Sequence, residues 1–110
     1  MGNSIKVNQK ELISLWNKAQ KVEGKPPSIW RKDIAGAWIR YDQYGKRTPY
    51  GWEVSYIRPL SKGGNSDIDN LQPLHWRNNK YKREDYPVCR TCVSSDGNMN
   101  IEKIRIWQIE

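Results

Sequence analysis

Between Gly51 and Lys82 the spacing of apolar residues changes twice, and this constrains the fold more than any other feature of the chain. Trp52 to Ile57 reads as a strand, and Pro59 to Asp67 as a loop marked by Gly63-Gly64. Ile68 to Leu74 reads as a second short strand or extended turn. His75 to Arg83 is a basic helical stretch rich in side-chain amides, stopped by Pro87. A strand, a glycine loop, a strand and a helix in direct succession form one local unit, around which the flanks must be arranged.

The flanks read clearly. Asn8 caps a first helix, Glu11 sits at the capping-box position, and Leu12, Leu15, Trp16 and Ala19 recur at helical spacing. Gly24 and Pro26-Pro27 are expected to end that helix. Ser28 to Asp33 is expected to form a short turn or helix, and Ala37 to Tyr41 a short strand closed by Gly45. Lys46 to Gly51 is a loop. Val88 to Val93 and Ile101 to Ile109 read as antiparallel strands joined through the turn Ser94-Ser95-Asp96-Gly97-Asn98. The fold class is therefore α+β. With 110 residues and no linker, repeat or low-complexity tract, residues 1–110 are expected to form a single domain.

Composition excludes several classes of function. Only 36% of residues are apolar, which would suit a disordered chain if those residues were small. Instead there are six Trp and six Tyr, with no Phe, so most of the aromatics are expected in the core. No apolar run approaches the roughly 18 residues that a membrane span needs, and no hydrophobic signal region follows Met1. A cytoplasmic protein without membrane contact is expected. Nineteen Lys and Arg against twelve Asp and Glu give a net charge of +7, which favours a polyanionic partner. Trp, Tyr and Arg are interleaved, and these side chains contact phosphates and stack on exposed bases.

Ile57, Pro59, Ser61, Gly63-Gly64, Asn70-Leu71, Leu74, Asn79 and Lys82 fall in register with the ββα-metal core of the HNH endonucleases, which residues 51–83 resemble. Trp30-Arg31-Lys32-Asp33, Gly36-Ala37-Trp38-Ile39 and the Asp96-Gly97-Asn98 turn resemble the flanks of small bacterial HNH proteins. The resemblance implies an HNH-type core with an N-terminal helix and a C-terminal β-hairpin. It also implies phosphodiester hydrolysis at one divalent ion, held by an Asp and by the helix Asn or His. The His beside that Asp takes the proton of the attacking water, and the second-strand Asn holds the His.

At the two central positions this sequence departs from the family. Ser55-Tyr56 stands where the family has Asp-His. A neutral hydroxyl is a poor ligand for a hard divalent cation, and a tyrosine of ordinary pKa near 10 is about 0.1% ionised at pH 7. The metal positions carried over are Ser55 and Asn79, and the catalytic candidates are Tyr56, Asn70 and His75. His75 is weighed as a substitute base, and Tyr56 as a nucleophile activated by a metal or by Arg58. Glu53, Asp67 and Asp69 offer another route to a cation. The expected cofactor is none, or a weakly held Mg or Mn ion.

Arg58, Lys62, Arg77, Lys80, Lys82 and Arg83 cluster around the motif and are the expected nucleic-acid contacts, with DNA ahead of RNA. Three readings follow. The first is an HNH-like nucleic-acid-binding protein with cleavage impaired. The second is an active metal-dependent endonuclease using Tyr56 or His75. The third is a protein-interaction module that reuses the fold and binds a protein partner. Cys89-Arg90-Thr91-Cys92 is half of a four-ligand zinc site, with His75 a conceivable third ligand and no fourth. In a strand its two cysteines face opposite sides, so two reduced thiols are expected and no zinc.

Overall fold

A computed structural model describes residues 5–109. Helix α1 spans Gln9–Trp16, strand β1 Trp30–Lys32, β2 Trp38–Arg40, β3 Trp52–Tyr56 and β4 Leu71–His75. Helix α2 spans Trp76–Lys82, followed by β5 Val88–Asp96 and β6 Met99–Gln108. Each strand pairs antiparallel with its neighbour in sequence, giving three two-stranded sheets, β1-β2, β3-β4 and β5-β6. The class is α+β, with an N-terminal helix and a C-terminal hairpin around a β3-β4-α2 core. No helix among the described residues is long and apolar enough to cross a membrane.

Asn8 caps α1 reciprocally: its side chain accepts from Glu11 N at 2.8 Å, and Glu11 Oε1 accepts from Asn8 N at 3.0 Å. The helix does not run to Gly24. It stops at Trp16, because Arg31 takes over the carbonyls that a further turn would use. Arg31 donates to Asn17 O and Ala19 O, both at 3.1 Å, and to Pro27 O at 2.9 Å. A buried cation at a helix C-terminus also meets the negative end of the helix dipole. The chain then bridges to β1 through Gln20 and Lys32. Residues 30–32, inside the expected turn or helix, are thereby recruited as a strand against β2.

Leu12, Leu15, Trp16 and Ala19 pack with Ile39, Trp52, Val54 and Leu71 in the main core. The Trp16 and Trp52 rings lie 5.3 Å apart, and Tyr41 meets Trp16 edge-on at 5.4 Å. Trp16, Trp38 and Trp52 are buried, while Trp30, Trp76 and Trp107 keep one side toward solvent. The aromatics therefore divide between the core and half-exposed positions.

Tyr56 pairs with Leu71 and Trp52 with His75, which fixes the register of the central hairpin. Alternation turns Trp52, Val54 and Tyr56 toward the core and Glu53 and Ser55 toward the other face. Residues 68–70, expected within the second strand, instead form a 3-10 turn that delivers Asn70 to the loop. The closing hairpin is longer than its sequence suggests. β5 extends through Ser94-Ser95-Asp96, and the reversal is confined to Gly97 and Asn98, where Gly97 takes φ +61°. Asn100 fastens this hairpin to β2, accepting from Trp38 N at 2.7 Å and donating to Trp38 O at 3.1 Å.

Candidate nuclease-type site

The loop between β3 and β4 is closed by Asn70. Its Oδ1 accepts from Arg58 N at 2.9 Å, and its Nδ2 donates to Arg58 O at 2.9 Å and Asn65 O at 2.7 Å. Gly64 permits this closure, since a Cβ there would lie 1.8 Å from Arg58 O and 2.9 Å from Asn70 Nδ2. Asn70 therefore buckles the loop by its backbone rather than by gripping the side chain of Tyr56.

Ser55 is buried, and its hydroxyl donates only a long 3.4 Å contact to Tyr56 O. On the same face of β3, Glu53 Oε1 accepts from Asn79 Nδ2 of α2 at 2.8 Å. The Tyr56 ring packs against the core, and its hydroxyl lies 3.4 Å from Ser66 Oγ in the loop. Ser55 and Glu53 thus share one face of β3 with Asn79 against it, while Tyr56 turns to the opposite, core face.

His75 stands at the other end of the hairpin. It is four residues along β4 from the partner of Tyr56, roughly 13 Å at about 3.3 Å per residue. The ring caps α2: Nδ1 accepts from Arg77 N at 3.1 Å, and Nε2 lies 2.9 Å from Pro49 O. An Nδ1 that accepts leaves Nε2 as the donor, so the ring is the neutral Nε2–H tautomer. Burial pushes its pKa below the ordinary histidine value, although Pro49 O and the Asp33 charge pull upward. Both ring nitrogens are committed to backbone, and the structure does not bring His75 together with Ser55 and Tyr56.

Asp33 and Asn78 form a buried polar hub that sequence reasoning assigned no role. Asp33 Oδ1 accepts from Ala35 N and Ala37 N at 3.0 and 2.9 Å. Its Oδ2 accepts from His75 N at 2.9 Å and Asn78 Nδ2 at 3.0 Å. Asn78 Oδ1 in turn accepts from Cys92 N and Val93 N, and its Nδ2 also donates to Val93 O. These bonds meet the β5 irregularity between Thr91 and Val93. Burial pushes the Asp33 carboxyl up, while its hydrogen bonds and the neighbouring His75 pull the other way. The hub fixes the start of α2 and, one residue on, the placement of Asn79 against Glu53. The signal legible in the sequence was an Asp four residues before Ala37 with Gly36 between, the mark of an Asx-type turn.

The basic residues divide by environment. Lys62, Lys80 and Arg83 are exposed. Arg58 is exposed too, but its Nε donates to Lys62 O at 2.7 Å and its guanidinium lies over Tyr86. Arg77 pairs with Glu102 at 3.0 Å. Lys82 departs from the expected surface set: it is 1% exposed, turned inward toward Cys89, and not available to a phosphate in this conformation. Burial pushes its ammonium pKa down, against the pull of Cys89, Asp85 and Glu84. Cys89 and Cys92 are both free thiols, the first buried and the second half-buried.

The HNH endonuclease family model matches residues 42–84. That segment is similar to an HNH domain. The match covers the whole β3-β4-α2 unit and begins ahead of it, at the turn after β2. No curated protein and no solved structure matches the chain.

HNH domains imply a divalent metal, and the donors present test the fit. At the family's metal positions the matched segment offers the Ser55 hydroxyl and the Asn79 amide, the latter donating to Glu53. Among the described residues no three His, Cys, Asp or Glu side chains converge as a metal-binding group. One carboxylate beside a neutral hydroxyl and an amide is a poor set for a hard cation that prefers several anionic oxygens. These residues do not fit the ordinary HNH ion.

Proposed function

We propose that this HNH-like domain binds nucleic acid, DNA ahead of RNA, with phosphodiester cleavage impaired. The observation that carries the reading is the buried Ser55 hydroxyl at the position of the family's metal-binding Asp, with Tyr56 beside it in place of the His. Replacing a general base typically costs about 10²–10⁴ in rate, and the loss of the anionic ligand adds to that. Binding needs neither group: Lys62, Lys80 and Arg83 are exposed cations around the motif, and phosphate contacts supply the bulk of non-specific affinity.

Tyr56, Asn70 and Asn79 keep the family's catalytic and metal positions in this reading, while Asn70 supports the loop. A second reading, residual metal-dependent cleavage, is favoured by Glu53, whose carboxylate meets Asn79 on the face that Ser55 shares. A plasmid-nicking assay with Mg²⁺ and with Mn²⁺ separates the two. Wild type should leave the plasmid supercoiled, and a Ser55→Asp/Tyr56→His variant should nick it. Wild-type nicking that Glu53→Gln abolishes would overturn impaired cleavage in favour of the second reading.

A further inference from the structure

A concavity lies at the His75 end of the hairpin, away from Ser55 and Tyr56. It measures about 420 Å³, within the span of roughly 300–1,000 Å³ that small-ligand pockets take. Val93 and Ile101 supply apolar wall, Trp76 an aromatic surface, and Arg47, Arg77 and Glu102 the charge. The Trp76 ring is held in position: Nε1 donates to Thr48 O at 2.7 Å, and the His75 ring lies alongside at 6.1 Å with 22° between planes. The exposed Arg47 places its guanidinium over the Trp76 ring at 5.6 Å. Among the described residues Arg47 is in no ion pair. Arg77 is paired with Glu102, but that pair is 40% and 79% exposed, a setting in which a salt bridge is easily exchanged for another anion.

We propose that this cleft seats one unstacked nucleobase of a single-stranded segment on Trp76, with Arg47 and Arg77 taking the adjoining phosphates. The inference deepens the nucleic-acid-binding reading and rests on it. A fixed, half-exposed indole beside two arginines is the arrangement by which single strands are held, stacking on the base and charge on the backbone. Arg47 lies where the base would stack. On binding it leaves the ring for a phosphate, which neutralises it more fully than the indole face does. Glu102 sits at the mouth, where a carboxylate accepts a hydrogen bond from an exocyclic amine and repels a bare anion. The cleft therefore takes an amino-bearing base such as cytosine rather than free phosphate. The cleft lies at the end of the hairpin where Trp52 pairs with His75, opposite the end where Tyr56 pairs with Leu71.

The six tryptophans give separate indole N–H signals in a ¹⁵N–¹H spectrum, and Trp76→Phe identifies that of Trp76. The probes are octadeoxycytidylate and an abasic octamer of the same charge. Octadeoxycytidylate should move the Trp76 signal and bind about tenfold more tightly than the abasic strand. Arg47→Ala should weaken it severalfold while leaving the Trp76–Thr48 hydrogen bond in place, so this variant decides the matter if Trp76→Phe fails to fold. A stationary Trp76 signal, or equal binding of the two octamers, overturns the proposal. Duplex binding is titrated separately, which keeps the two failures apart. An unmoved Trp76 with salt-sensitive duplex binding sinks only the cleft. A moved Trp76 without duplex binding upholds the cleft and confines the broader reading to single strands.

Discussion

His75 ties one protonation state to the start of α2. Its Nδ1 accepts from Arg77 N only while neutral, and burial holds its pKa below the unfolded value of about 6.5. A lowered histidine pKa means that the unfolded chain binds the proton first. The contribution to stability is therefore present above pH 6.5 and is lost as pH falls toward the folded value, by up to about 1.4 kcal/mol per unit. The buried Asp33 carboxyl, pushed up by burial, works in the opposite sense, so the His75 share is best read by difference. His75→Asn keeps a capping oxygen without a titrating ring, and denaturant melts between pH 7.5 and 5.5 should show a shallower loss for it than for wild type. Asn78 is the more expensive residue to remove. Asn78→Ala removes the partner of the Cys92 and Val93 amides and of Val93 O, leaves Asp33 Oδ2 with His75 N alone, and should cost about 3 kcal/mol in urea unfolding. A loss under about 1 kcal/mol would mean that water replaces the amide at no great expense.

At the scale of elements, strand β5 sets the fate of the two cysteines. Cys89 faces inward and Cys92 lies half-buried beside the carbonyl of Arg77, and burial pushes both thiols above their ordinary pKa. Alkylation of the native protein without reductant should label Cys92 first, and denaturant should bring the count to two by mass. A pair that stays blocked in denaturant would contradict the strand. Helix α1 offers a matching test at its start, where Asn8→Ala removes half of a reciprocal cap and should lower stability by about 1 kcal/mol in a thermal melt.

At the scale of the whole molecule, the charge of +7 is general, but its availability is not. Lys62, Lys80 and Arg83 reach solvent, whereas Lys82 is buried beside Cys89. Changing Lys62, Lys80 and Arg83 to Gln should weaken duplex binding across sequences. It should also reduce the slope of log K against log salt by up to about 2.7, at roughly 0.9 per phosphate contact. Lys82→Gln should leave that slope where it was. If Lys82 alters the slope as much as Lys80 does, α2 rotates on binding and exposes it.

Local signals were strong wherever a residue acts on its near neighbours. The Asn8–Glu11 box, the Gly63-Gly64 loop, the alternation through β3 and the period of α2 are all decided within a few residues, and each is legible in the sequence. So was the Ser55-Tyr56 substitution, which needs no fold to be seen. Tertiary structure alone decided where α1 stops, because Arg31, well downstream of the helix, takes the carbonyls of Asn17 and Ala19 just beyond it. It also decided that Trp30 to Lys32 extend as a strand, that Asp33 and Asn78 join the β1-β2 turn, α2 and β5, and that Lys82 turns inward. Burial and long-range hydrogen bonding depend on which distant segment arrives. A lysine or an aspartate carries the same local propensity whether it faces water or a closed core.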